Sequence, residues 1–89
     1  MDNYIFTQHA LFEMERRGLS RETVEEVIKN PEQQWSVKEG RTVLQSRVSM
    51  GISVKSYLVR VFVDVDRNPP EVVTAYKTSK IEKYWRQEK

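Results

Sequence analysis

Side chains able to do chemistry gather near the end of the chain, where Val72-Val73-Thr74-Ala75 runs into Tyr76-Lys77-Thr78-Ser79-Lys80, with Ile81 and Trp85 four residues apart beyond it. The β-branched run followed by helical spacing predicts a strand-to-helix junction. A phenol, two ammonium groups and two hydroxyls then crowd a helix N-terminus, whose backbone N–H groups favour an anion, so a phosphate is the expected ligand. Ser79-Lys80-Ile81-Glu82 also fits a capping box, which gives Ser79 a structural duty. No His/Asp arrangement is recognisable that would activate it as a nucleophile.

A second signal is Arg60, a long cation within Leu58-Val59-Arg60-Val61-Phe62-Val63, where strand propensity favours apolar or β-branched residues. Alternation turns Val59, Val61, Val63 and Val65 toward a core and Leu58, Arg60, Phe62 and Asp64 away from it. Aligning apolar rows puts Leu44, Val48, Val73 and Ala75 with the valines. Gln45, Arg47, Arg60, Phe62, Thr74 and Tyr76 then share an open face whose cations, rings and hydroxyls suit a nucleic-acid backbone and stacked bases. Alternatively, Phe62 and Tyr76 are covered by the C-terminal helix, and Arg60 is a solvated surface cation.

The single histidine, His9, falls in the first turn of a helix capped by Thr7. The helix dipole disfavours imidazolium there, which leaves a neutral ring for proton transfer or for packing. Arg16 and Arg17 close the same helix, where cations suit the carbonyl end. Asp64-Val65-Asp66-Arg67-Asn68 has alternating oxygens, yet Pro69 replaces the glycine a calcium loop requires and Ala75 its bidentate glutamate. With one histidine and no cysteine, a transition-metal site is not expected either. Chemistry on this chain is expected to need neither metal nor cofactor.

The elements positioning these groups are legible in outline. Hydrophobic staples, Phe6 with Leu11 around Thr7 and Leu19 with Val24 around Ser20, predict helices over about 7–17 and 21–29, ended by Gly18 and by Asn30-Pro31. Their apolar stripes are Ala10, Leu11 and Met14, and Val24, Val27 and Ile28. Strands are expected at about 34–38, 42–49, 54–65 and 71–77, joined by short turns into an antiparallel meander. The 89 residues suit a single domain, residues 1–89, with one shared core. Without cysteine, signal peptide or a long apolar run, the chain reads as soluble and cytoplasmic, with no membrane association. The net charge of +2 is uneven: residues 1–39 hold five Lys/Arg and eight Asp/Glu, whereas residues 40–89 hold ten and five. An anion-binding face built mostly from the second half is consistent with that asymmetry.

Phe6-Thr7-Gln8-His9-Ala10 with Met14, Arg17, Gly18 and Leu19, then Asn30-Pro31, and finally Val72 through Lys80, resemble a family of small uncharacterised prokaryotic domains. That family is grouped with the RelE/ParE toxin superfamily and is similar to BrnT-type toxins. The resemblance implies an α+β fold: two N-terminal helices on a curved antiparallel four-stranded sheet, a C-terminal helix, and a brief N-terminal strand at Tyr4-Ile5. It also implies a toxin of a toxin–antitoxin pair, a metal-independent endoribonuclease acting on RNA or the ribosome and partnered by an antitoxin protein. Relatives that inhibit gyrase leave a non-catalytic nucleic-acid-binding or protein-interaction module as the other expectation. On the catalytic reading, Arg60 and Arg47 stabilise the scissile phosphate and Tyr76, Lys77 or His9 moves the proton of the attacking 2′-hydroxyl. Arg47, Lys80, Arg17 and Lys83 would hold the RNA backbone. Glu13 departs from the family pattern, which often has arginine one turn after the histidine.

Overall fold

The computed structural model describes residues 1–87. Its elements are β1 (Ile5–Phe6), α1 (Gln8–Arg16), α2 (Arg21–Lys29), β2 (Gln33–Lys38), β3 (Arg41–Met50), β4 (Lys55–Asp64), β5 (Glu71–Thr78) and α3 (Ile81–Tyr84). Both expected caps form: the Thr7 hydroxyl accepts the Ala10 N–H at 3.0 Å and the Ser20 hydroxyl accepts the Thr23 N–H at 3.1 Å. Gly18 ends α1 at φ +64°, and the Leu19 N–H reaches back to the Met14 carbonyl at 2.8 Å.

The fold is α+β, but the sheet has five strands in the order β1-β5-β4-β3-β2 and is mixed, which corrects the four-stranded antiparallel expectation. Strands β2 to β5 form the predicted meander, since short turns reverse the chain. The N-terminal strand lies at Ile5–Phe6, one residue later than expected, and pairs in parallel with Glu71 and Val72. No hairpin joins β1 to β5, so turn geometry does not impose an antiparallel direction on that pair.

One face of the sheet receives the helices. Ala10, Met14, Leu19, Val24, Val27 and Ile28 pack against Leu44, Val59, Val61, Val63, Val72 and Ala75, with Val48 half-buried at the border. Three expectations are corrected here. Phe62 pairs with Thr74 while Val63 pairs with Val72, so Val73 is skipped in the register and Val72 takes the core position assigned to Val73. Val65 follows the last residue of β4 and is 41% exposed, outside the valine row. Leu11 is exposed, and the buried side of α1 consists of Ala10, Glu13 and Met14.

The helix α3 is a single turn. Its N-cap is Lys80, without a side-chain cap, and Thr78 rather than Ser79 accepts the Lys80 N–H, at 3.1 Å. The capping box does not form, and Trp85 lies beyond the helix in extended backbone. A one-turn helix builds little dipole, so the phosphate site expected at its N-terminus has no basis.

Candidate functional site

The face turned away from α1 and α2 carries an unbroken polar row. Register places Gln33 opposite Gln45, Gln45 opposite Arg60, and Arg60 opposite Tyr76, one residue from each of four strands. Side chains join them end to end. Gln45 Nε2 donates to Gln33 Oε1, Arg60 Nε donates to Gln45 Oε1, and Arg60 Nη1 donates to the Tyr76 hydroxyl, each at 2.8 Å. The adjacent row runs Trp35, Val43, Phe62 and Thr74. Phe62 stacks on Tyr76 with ring centroids 6.1 Å apart.

Arg60 is 8% exposed and Gln45 fully buried, which corrects the expectation of an open face with Arg60 outside any core. The guanidinium lies among four rings, with centroids of Tyr84, Phe62, Trp35 and Tyr76 at 4.6, 5.3, 5.9 and 5.9 Å. Quadrupoles of these rings and two hydrogen bonds offset part of its desolvation. Among the described residues, no carboxylate forms an ion pair with it. Its two hydrogen-bond partners, the Gln45 amide and the Tyr76 hydroxyl, are neutral, and Gln45 stands where a glutamate would have matched the charge.

What closes the face is the chain's own C-terminal segment. Gln45 Nε2 also donates to the Tyr84 carbonyl at 3.2 Å, while Gln33 donates to the Arg86 carbonyl at 2.7 Å and accepts the Arg86 N–H at 3.1 Å. The Arg86 guanidinium lies 4.1 Å from the Trp35 ring centroid, and that of Arg47 lies 4.2 Å from Trp85.

The four residues expected to be catalytic are divided by the sheet. Arg60 and Tyr76 meet, but Lys77 pairs with Val59 and shares its helix-covered face, with its ammonium 5.4 Å from the Tyr57 ring centroid and beside Gly18 at the end of α1. His9 is exposed on α1, on that same side of the sheet. Strand alternation makes the division unavoidable, since neighbours 76 and 77 point to opposite faces.

The expected backbone-binding cations are divided as well. Arg17 donates to the Ala75 carbonyl at 3.0 Å and lies 3.5 Å from the Thr74 hydroxyl, capping the edge of β5 where the short β1 no longer covers it. Glu13 holds Arg16 and Arg17 at 2.9 and 2.8 Å, so the acidic departure at this position neutralises the end of α1. The Arg16 hydrogen bond, aided by the charge of Arg17, keeps the Glu13 carboxyl below its usual range. Arg47 is engaged by Glu32 through its side chain at 2.9 Å and its backbone N–H at 2.7 Å, and these bonds lower the Glu32 pKa. Lys80 and Lys83 are exposed, Lys83 with its ammonium 5.4 Å from the Tyr84 ring centroid. Sequence reasoning missed Gln33, Trp35, Tyr84 and Arg86. The alternation of Gln33 and Trp35 in β2 is a signal that could have placed those two on the Arg60 face.

The Tyr76 oxygen accepts from Arg60, so its own proton is available to an incoming anion. Arg60 and Tyr76 can therefore present positive charge and a proton donor to one phosphate. No cluster of three or more potential metal-binding side chains occurs among the described residues, and none of their helices is long and apolar enough to cross a membrane.

No curated protein and no solved structure matches this chain. A family model matches residues 6–77, from β1 to the Arg60 partner strand β5, and the chain belongs to that family, the domain of unknown function DUF4258.

Proposed function

We propose that the outer face binds single-stranded RNA, with a phosphate held by Arg60 and Tyr76 and bases stacked on the neighbouring rings. The observation that carries this reading is Arg60 itself: a guanidinium 8% exposed, surrounded by rings, and left without a carboxylate among the described residues. A buried charge lacking a counter-ion is costly unless a ligand supplies one. Aromatic faces beside a cation are a recurrent means of holding single strands without strict sequence preference.

Cleavage is the second reading, in line with an RNA-directed toxin of the RelE/ParE kind paired with an antitoxin. In that reading the RNA 2′-oxygen bonds to phosphorus and gives its proton to solvent water, Arg60 stabilises the phosphorane charge, and Tyr76, whose oxygen already accepts from Arg60, gives its proton to the leaving 5′-oxygen as the P–O5′ bond breaks. His9 and Lys77 have no part in it, because the sheet separates them from Arg60.

Fluorescence anisotropy with a labelled oligouridylate over a range of salt tests binding. If Arg60, Lys80 and Lys83 neutralise phosphates, the slope of log affinity against log salt should be about −2 for a single strand. Arg60→Lys should weaken binding roughly tenfold or more with the fold intact, because an ammonium cannot bridge Gln45 and Tyr76 as the planar fork does. Cleavage that disappears in Tyr76→Phe while affinity largely remains would select the ribonuclease reading. Salt-insensitive binding, or none at low salt, would refute both.

A further inference from the structure

We infer that the segment Tyr84–Arg86 is a displaceable cover, which competes with nucleic acid for the outer face and regulates access to Arg60; the inference rests on reading that face as an RNA site. The segment is attached in an unusual way. The helix leading into it, α3, contributes no buried residue, and Ile81, Tyr84 and Trp85 are only half-buried. What holds it is polar: hydrogen bonds of 2.7 and 3.1 Å between the Gln33 amide and the Arg86 backbone, and one of 3.2 Å from Gln45 to the Tyr84 carbonyl. Cations stacked on rings add to these, Arg86 on Trp35, Arg47 on Trp85 and Arg60 on Tyr84, and the one ring–ring contact among the described residues is the Tyr84 ring edge-on to Tyr76 with centroids 6.3 Å apart. Such contacts can be exchanged for water or for another polar ligand, whereas an apolar seal could not be opened without exposing its surface.

The cover also resembles what it would exclude. The Tyr84 ring lies 4.6 Å from the Arg60 guanidinium, as a stacked base would, and backbone carbonyls take the amide donors that a nucleotide's oxygens would otherwise occupy. Exposed Ser79 and Lys80 join it to β5, and the whole segment lies beyond the residues matched by the family model, which contain Gln33, Gln45, Arg60 and Tyr76. The matched part of this chain thus contains those four residues, and the cover lies outside it.

A protein whose binding-competent state is a minority binds more weakly by that fraction, so an equilibrium about ten to one in favour of the closed segment would reduce RNA affinity about tenfold. Two full-length variants loosen the cover by different means: Tyr84→Ala removes the ring over Arg60, and Gln33→Met removes both bonds to the Arg86 backbone. Each is compared with the native chain for oligouridylate affinity and for the rate at which phenylglyoxal modifies Arg60, located by peptide mass mapping. Circular dichroism checks folding. Both variants should bind about tenfold more tightly and be modified faster. Faster modification with unchanged or weaker binding would overturn the cover while leaving the RNA site in place, as would an unchanged modification rate in both. Failure of every chain to bind RNA, despite faster modification, would instead remove the RNA reading and the regulation that rests on it.

Discussion

Replacing Gln45 with glutamate should abolish most RNA binding without unfolding the protein. The change preserves length and shape but sets a carboxylate where an amide oxygen now accepts from Arg60 Nε at 2.8 Å. A charge pair separated by ~4 Å at an effective dielectric of about 20 is worth ~4 kcal/mol, and roughly half of that survives stronger screening. Phosphate would have to compete with an internal counter-ion, so affinity should fall about thirtyfold to several hundredfold. A term of opposite sign comes from losing the Gln45 donor to the Tyr84 carbonyl, which loosens the C-terminal segment. A neutral hydrogen bond of that kind is worth only about 0.5–1.5 kcal/mol, so the electrostatic term prevails. For stability, the charged bond gained to Arg60 offsets the donors lost to Gln33 and Tyr84, and the net change should lie within about 2 kcal/mol. Anisotropy with oligouridylate, together with urea unfolding as the folding control, gives both quantities. A folded Gln45→Glu protein with native affinity and native salt slope would show that the charge of Arg60 is not what holds RNA.

The core assignment predicts a contrast within one strand and its extension: Val61→Ala, at a fully buried site, should cost about 2 kcal/mol, whereas Val65→Ala, 41% exposed, should stay within about 0.5 kcal/mol in urea titrations. Acid sensitivity follows from Glu13, Glu32 and Asp64, whose pKa values are lowered chiefly by hydrogen bonds from Arg16, Arg47 and Arg41. Because each folded value lies below its unfolded one, these groups stabilise fully above the ordinary carboxylate range, about pH 4–4.5, and progressively less as pH falls through their folded values. Urea midpoints should therefore hold between about pH 7 and 5 and drop below about 4. Arg41→Gln, which frees Asp64, should make that drop shallower.

Local signals carried much of the architecture. Thr7 and Ser20 announced both helix starts because a cap needs only its own first turn, and Gly18 marked a positive φ that a side chain resists. The turn into β3 likewise has a glycine at positive φ, Gly40 at +82°, whereas the 2.6 Å that would separate a Cβ there from the Asp66 carboxylate is set by the fold. Period-two alternation was enough to put Val59, Val61 and Val63 in the core and Gln45, Arg60 and Tyr76 on one face, since side chains on a pleated strand have only two directions. Tertiary structure decided the rest. The irregularity that exchanged Val73 for Val72 is a property of two strands in register, and the parallel docking of β1 onto β5 joins residues more than sixty positions apart. Alternation likewise cannot tell an open face from a covered one. Whether Arg60 meets solvent depends on where Tyr84 and Arg86 settle, and whether Arg47 is available depends on Glu32 across the sheet edge, so the charge the sequence displays and the charge the folded surface offers are set by different contacts.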